Sequence, residues 1–377
     1  MAAGSNVGEA GDELSLQFYY NREQWENDQD TNLLLDYHID TLNLDFQHRF
    51  QMTASQELIW GLAYQLIMDD YSTDSPIIQI VPARRNIQLF SAFLQDEITL
   101  VPDFWRLIIG SKFQHNDYTG FEFQPTLRSI WNWGGRHILW AAISRATRTP
   151  TRVERDATVT FSSPQSALGT TPIQFTFTNA AELKSERLLA YELGYRLQAS
   201  RRLNFDFAAF YNDYDRLNNL DAIRFDPGTN RVLIGTRYTG EASTWGVELA
   251  MDWRPLDNLS VKANYSYLNT HSSVVGIVSN QETAPEHKAV LSTAYHITRQ
   301  WEIDLTGRYV SRIELLDVGA YFGLDARLAW KPLDNLEISV VGQNLLDSSH
   351  PEFDEQTFET TPTEIERSTY GKFRLHF

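Results

Sequence analysis

Tyr321-Phe322-Gly323-Leu324-Asp325-Ala326-Arg327-Leu328-Ala329-Trp330 is the stretch whose reading decides the fold. Phe322, Leu324, Ala326, Leu328 and Trp330 alternate with Tyr321, Gly323, Asp325, Arg327 and Ala329. A period of two with this polarity contrast belongs to a strand whose two faces meet different surroundings. The turn Lys331-Pro332-Leu333-Asp334-Asn335 leads to a second strand, which sets Leu336, Ile338 and Val340 against Glu337, Ser339 and Val341. The last strand puts Phe373, Leu375 and Phe377 on one face and Lys372, Arg374 and His376 on the other. These apolar faces require either a protein core or lipid.

Upstream, the pattern recurs in about sixteen segments from Glu13–Arg22 onward, each long enough for a tilted strand to span a bilayer. The connections alternate in length. Short ones fall near 51–56, 101–104, 132–135, 198–202, 254–258, 298–300 and 331–335. Long ones occupy 23–34, 69–85, 148–186, 215–243, 270–286 and 346–368, with 116–120 and 312–320 as shorter members of that set. A soluble sandwich has no reason to gather its long loops at one end, whereas a bacterial outer-membrane barrel has short periplasmic turns and long extracellular loops. Trp105, Trp131, Trp133, Trp253, Trp301 and Trp330 all fall at short-turn ends, where an interfacial aromatic girdle belongs. Trp253-Arg254-Pro255-Leu256-Asp257-Asn258-Leu259 recurs as Trp330-Lys331-Pro332-Leu333-Asp334-Asn335-Leu336, with tight-hairpin chemistry both times. Asp206, Glu248 and Asp252 lie opposite the apolar rows, on the face a wet lumen would solvate.

Composition narrows the function. A net charge of −17 argues against a nucleic-acid partner, which would need a basic face. The absence of cysteine removes disulfides and thiol chemistry. No apolar run is long enough for a transmembrane helix, Ile138 to Ile143 being among the longest. Residues 1–11 read as a disordered segment without signal-peptide character, and 12–377 as the barrel.

The chain resembles the barrel domain of TonB-dependent outer-membrane receptors. The segments that carry the likeness are 89–97 (Leu-Phe-Ser-Ala-Phe-Leu-Gln-Asp-Glu), Gly110–Tyr118, Trp140–Pro150, Ala190–Tyr195, Ala209–Tyr214, Gly342–Asp347 and the terminal aromatic strand. The resemblance implies an all-β, antiparallel transmembrane barrel in the outer membrane of a Gram-negative bacterium. It also implies a receptor, not an enzyme, for a scarce small ligand such as an iron-siderophore complex. The implied partners are outer-membrane lipid, lipopolysaccharide, a small-molecule ligand such as a metal chelate, and the TonB system in a full-length relative. The family's plug, TonB box and signal peptide are not visible, and its barrel has twenty-two strands, so the expectation is the C-terminal part of such a barrel. The alternative is a plugless, porin-like passive channel of sixteen closed strands.

No catalytic constellation is present: there is no GxSxG, HExxH or phosphate-cradling glycine loop. The nine histidines lack ligand spacing, and neither a cofactor nor a metal site is expected. Arg145, Arg148, Arg152 and Arg155, in and before the loop 148–186, are the first ligand-binding candidates, because guanidinium forks suit anionic chelates. Pairing with Asp156 or with lipopolysaccharide phosphates would use the same chemistry. Asp69, Asp70, Tyr71, His115 and Tyr118 at neighbouring loop roots are further candidates. The last loop is acidic, with Glu352, Asp354, Glu355, Glu359, Glu364 and Glu366, and reads as a solvated face. Gly342 and Asn344 are expected to be structural.

Overall fold

A computed structural model describes residues 2–7, 12–26, 36–72, 75, 77–162, 174–178, 182–274, 284–353 and 363–376. In chain order the first half holds β1 (Ala2–Val7), β2 (Glu13–Trp25), β3 (Tyr37–Thr53), β4 (Gln56–Tyr71), β5 (Ile78–Ile80), β6 (Arg84–Val101), β7 (Trp105–Asn116), β8 (Gly120–Trp133), β9 (His137–Arg148), α1 (Arg152–Asp156), β10 (Ala157–Ser162) and β11 (Gln174–Thr178). The second holds β12 (Glu186–Ser200), β13 (Leu203–Asp226), β14 (Arg231–Leu256), β15 (Leu259–Ser272), β16 (His287–His296), β17 (Trp301–Val310), β18 (Tyr321–Leu333), β19 (Leu336–Gln343), β20 (Ser349–His350), β21 (Ile365–Glu366) and β22 (Ser368–Leu375). One antiparallel meander joins β1, β2, β3, β4, β6, β7, β8, β9, β12 through β19, and β22, each to the next. Leaving β1 aside, this wall is the set of sixteen long strands expected from alternation.

Through the middle of the strands registry carries the two faces round the wall, its shifts falling near the turns and in the upper hairpin of β13 and β14. Tyr195 pairs with Phe207, Phe207 with Leu249, Leu249 with Tyr265, Tyr265 with Ala289, Ala289 with Tyr309, and Tyr309 with Phe322. These apolar residues do not fill a core. Leu249 is 44 %, Leu291 51 % and Phe373 65 % exposed on the protein itself. Each such side chain left in water would forgo about 1.5–3 kcal/mol of burial. A belt of them running from strand to strand therefore faces lipid. The predicted girdle is part of it: Trp105 pairs with Trp131, and Trp301 stacks on Trp330 at 5.8 Å. The repeated turn is one structure used twice, since Leu256 meets Leu259 and Leu333 meets Leu336 across two-residue tips, each beside a register shift.

The structure departs from the sequence reading in three places. Residues 2–7, expected to be disordered, form β1 on the free edge of β2, a pairing made by backbone groups that needs no side-chain pattern. Residues 215–243, read as a long loop, instead extend β13 and β14 into a tall hairpin. The connection 148–186 is not structureless either. It contains α1, β10 and β11, and β10 pairs with β5 while β11 runs parallel to the upper part of β14. Residues 27–35, 163–173, 275–283 and 354–362 lie outside the described residues, as does Phe377.

This strap constrains the wall. Strands lie about 4.8 Å apart, so the wall from β4 to β14 covers about 34 Å, while β5, in the connection between β4 and β6, lies about 14 Å from β14 by way of β10 and β11. The wall must bow, with the strap as its chord at the long-loop end. Buried apolar positions gather there too: Ile80, Ala157, Ile234 and Tyr238. At the other limit, among the described residues no ladder joins β22 to β1 or β2, and all side chains of β22 are exposed.

Candidate functional site

The strap hangs from one turn of helix. Thr151 is the N-cap of α1; its hydroxyl accepts from the Glu154 N–H at 3.2 Å, and Glu154 accepts from the Thr151 N–H at 2.6 Å. This is a capping box, with two helix-end donors satisfied reciprocally. Arg148, at the top of β9, then donates to both Glu154 and Glu186, bidentately to each carboxylate. Burial raises the Glu154 carboxyl, but hydrogen bonds from Arg148 and from Thr151 outweigh it, leaving its pKa below the ordinary value.

One helical step on, Arg152 turns inward and is only 7 % exposed. Its guanidinium is bound to Asp69 at 3.0 Å, to the Asp156 carboxylate and to the Pro82 carbonyl, and it lies 5.7 Å from the Tyr71 ring. Arg85 reaches the same Asp156 at 3.0 Å. The result is a buried alternation of two cations and two carboxylates that ties α1 to the tops of β4 and β6. Arg155 stacks over Tyr118 at 4.8 Å and donates to the Asp117 carbonyl at 3.3 Å. Burial pushes the Tyr118 phenol up to about 12, and its hydroxyl has no hydrogen-bond partner among the described residues.

The structure thus brings Asp69, Tyr71, Tyr118, Arg148, Arg152 and Arg155 together at the long-loop end. It sets the other three candidates elsewhere. Arg145 lies directly across from Leu189 and in phase with Ile143, and His115 lies in phase with Phe113 and across from Phe121. Both are on the outer, apolar face, as their parity within β9 and β7 dictates. Asp70 also faces outward, paired with Arg84 at 2.7 Å. Sequence reasoning passed over Glu154 and Glu186, the acids that hold Arg148. The spacing Thr151-x-x-Glu154 was the available signal for the first.

The inner face below the strap is polar and cross-linked. Asp206 pairs with Arg196 at 2.7 Å. Near the short-turn end Arg327 donates to Glu302 at 2.9 Å, to Asp304 and to Glu337 at 2.7 Å, with Lys331 on Glu302 at 3.1 Å. Trp140 and Phe210 lie over Gly194 and Gly246 on the neighbouring strands, where an added Cβ would overlap the ring and, at Gly246, the Tyr267 carbonyl as well. Asn344, in the left-handed region at φ 51 and fully buried, receives structural partners only. Its N–H donates to Asp325 at 2.9 Å and its amide to the Ile365 carbonyl at 3.1 Å, beside His350 stacked on Tyr321. Among the described residues no cluster of acids and histidines could hold a metal ion.

Comparison with known proteins gives one family and one fold. The family described as TonB dependent receptor-like, beta-barrel, matches residues 4–345. Among solved structures, the siderophore receptor PirA from Pseudomonas aeruginosa is 15 % identical, with a TM-score of 0.72 over 98 % of this chain and 62 % of its own. A mutant of the ferric enterobactin receptor PfeA from Pseudomonas aeruginosa is 16 % identical, with a TM-score of 0.77 over 98 % and 60 %. The FrpB iron transporter from Neisseria meningitidis is 14 % identical, with a TM-score of 0.71 over 98 % and 62 %. At such identities the likeness is one of fold, and this chain spans about three-fifths of the length of these proteins.

Proposed function

The chain belongs to the TonB-dependent receptor β-barrel family, and from that premise we propose that it supplies the wall and part of the extracellular mouth of an outer-membrane receptor for a ferric chelate of the siderophore type. The observation that carries this reading is the ordered strap at the long-loop end, set over a polar inner wall and presenting an arginine on a tyrosine, Arg155 over Tyr118. Planar guanidinium and phenol groups suit a ligand that is both anionic and aromatic, such as a ferric catecholate. In this reading Arg155, Tyr118 and Tyr71 meet the ligand. Arg148, Arg152 and Asp69 are positioning residues that hold the strap in place. Energised uptake would further require a plug and the TonB system.

Titration of the full chain in lipid nanodiscs with ferric catecholate and ferric hydroxamate chelates tests the proposal, read by tryptophan quenching. Saturable binding of one class, weakened by Arg155→Ala with the strap still protected from proteolysis, is expected. No saturable binding of either class, together with a large steady conductance in planar bilayers, would replace the receptor with a passive pore.

A further inference from the structure

The strap and the tall hairpin together make a further sheet above the wall. β5 pairs with β10, β10 with β11, β11 with β14, and β14 with the upper part of β13. Asp215 faces Arg187 at the top of β12, and Ile223 lies about 25 Å farther along β13. This sheet therefore stands beyond the hydrocarbon, on the extracellular side.

Although water surrounds it, its two faces are unlike. Residues directly opposite in a ladder share a face, so Ile78, Val159, Phe177, Ile234 and Ile223 form one row across all the strands. Phe175, Val232 and Phe225 form the next row toward the hairpin tip. Apart from Leu233, the opposite face is polar and bonded to itself, Thr160 with Thr176 at 3.3 Å and Arg231 with Gln174 at 2.7 Å. The apolar face is covered along its lower edge, where Ile80, Ala157 and Ile234 are buried. Toward the tip it is open: Ile223 is 77 % and Phe225 52 % exposed. An exposed apolar patch rimmed by polar residues marks a surface that meets another molecule.

The lower edge indicates which molecule. β10 leaves α1 there, so Ala157 follows Arg155 and Asp156 directly, and the charges of Arg152 and Asp156 act on the Tyr118 phenol. Tyr238 continues the apolar face of β14 below Ile234. It is buried in the field of Arg148, Glu154 and Glu186, and its hydroxyl has no hydrogen-bond partner among the described residues. The apolar face thus begins at the arginine and phenols of the mouth, rises away from them and spans about 19 Å from β5 to β13. A cation and phenols at one end of an apolar track are complementary to an amphiphile. On the premise of the receptor reading, we propose that the mouth takes an acylated ferric chelate, with the anionic head on Arg155 and Tyr118 and the hydrocarbon chain along Val159, Phe177, Ile223 and Phe225. The Tyr238 hydroxyl stands at the boundary, a donor for the carbonyl that joins chain to head.

Two probes titrated onto the full chain in lipid nanodiscs decide it: a ferric catecholate, and the same chelate carrying a dodecanoyl chain, with empty nanodiscs correcting for partition into lipid. The acylated chelate should bind on the order of tenfold or more tighter, since burying two methylenes already gives about that factor. Ile223→Asn combined with Phe225→Ser should abolish the advantage and leave the plain chelate's affinity unchanged. Arg224→Ala, on the opposite face, should change neither. Should the double variant fail to fold, a photoreactive diazirine at the end of the chain gives the answer on the wild type, where it should label the segments 174–178 or 223–234. Equal affinity for the two chelates, an advantage that survives the double substitution, or labelling confined to the membrane belt overturns the tail site and leaves the receptor standing. Saturable binding of neither probe removes both.

Discussion

Arg152 is the residue on which the extracellular end turns. Its charge lies out of water between Asp69 and Asp156, and a buried pair broken by removing one partner costs about 3–5 kcal/mol because the other charge stays behind. Arg152→Met should therefore release α1 rather than leave both carboxylates buried. Amide exchange measured by mass spectrometry should quicken in β5 and β10 while β13 to β15 remain as slow as before; unchanged protection of β10 would remove Arg152 from this role. A different residue-scale demand is made by Gly194, where any Cβ would overlap the Trp140 indole. Gly194→Ala should cost about 1–3 kcal/mol by overpacking, seen as a lower denaturation midpoint in detergent with altered tryptophan emission. Gly371→Ala, with open space at the same point, should cost far less.

At the scale of single elements, α1 has only five residues and owes its existence to its cap and to Arg148. The depressed Glu154 pKa gives this a sign. A carboxylate held below its unfolded value contributes stability above the ordinary carboxylate range and loses it as pH falls through the folded value. Trypsin cleavage after Arg152 and Arg155 should therefore be slow at neutral pH. Below about pH 4, where a protease active in acid must replace trypsin, the 149–162 segment should open. Glu154→Gln should be open at both. The elements differ sharply in how legible they were. The long strands declared themselves because each separates lipid from a wet lumen, which writes an alternation into every second residue. Even the outward placement of Arg145 and His115 was present in their phase with Ile143 and Phe113. The strap left no such trace: β10 and β11 find partners far away in sequence, β5 and β14, and pairing of that kind is chosen by tertiary geometry. β1 was illegible for the same reason, being a pairing made by backbone groups.

Over the whole molecule, the wall has the curvature and two unlike faces of a barrel, yet among the described residues its ladder has ends. In hydrocarbon an unpaired N–H or C=O costs several kcal/mol, so such an edge is the least stable part of a membrane sheet. Its atoms can be named. The His376 N–H donates to the Asn335 carbonyl at 2.9 Å, which fixes the parity of the β19–β22 pairing. The amides of Ser368, Tyr370, Lys372 and Arg374 share that parity and point to β19. Those of Thr369, Gly371, Phe373 and Leu375 point to the other side, where no described strand meets them. Hydrogen exchange of the chain in detergent, resolved to single amides by NMR, should thus show an odd–even pattern along β22, fast at 369, 371, 373 and 375. In the interior strand β13, whose two neighbours β12 and β14 occupy both edges, no such alternation should exist between Leu203 and Tyr214. Uniform protection of β22 would mean that its outer edge is covered, by β1, by β2 or by a second copy. Dilution then separates the cases, because only protection supplied by a second copy is lost as concentration falls.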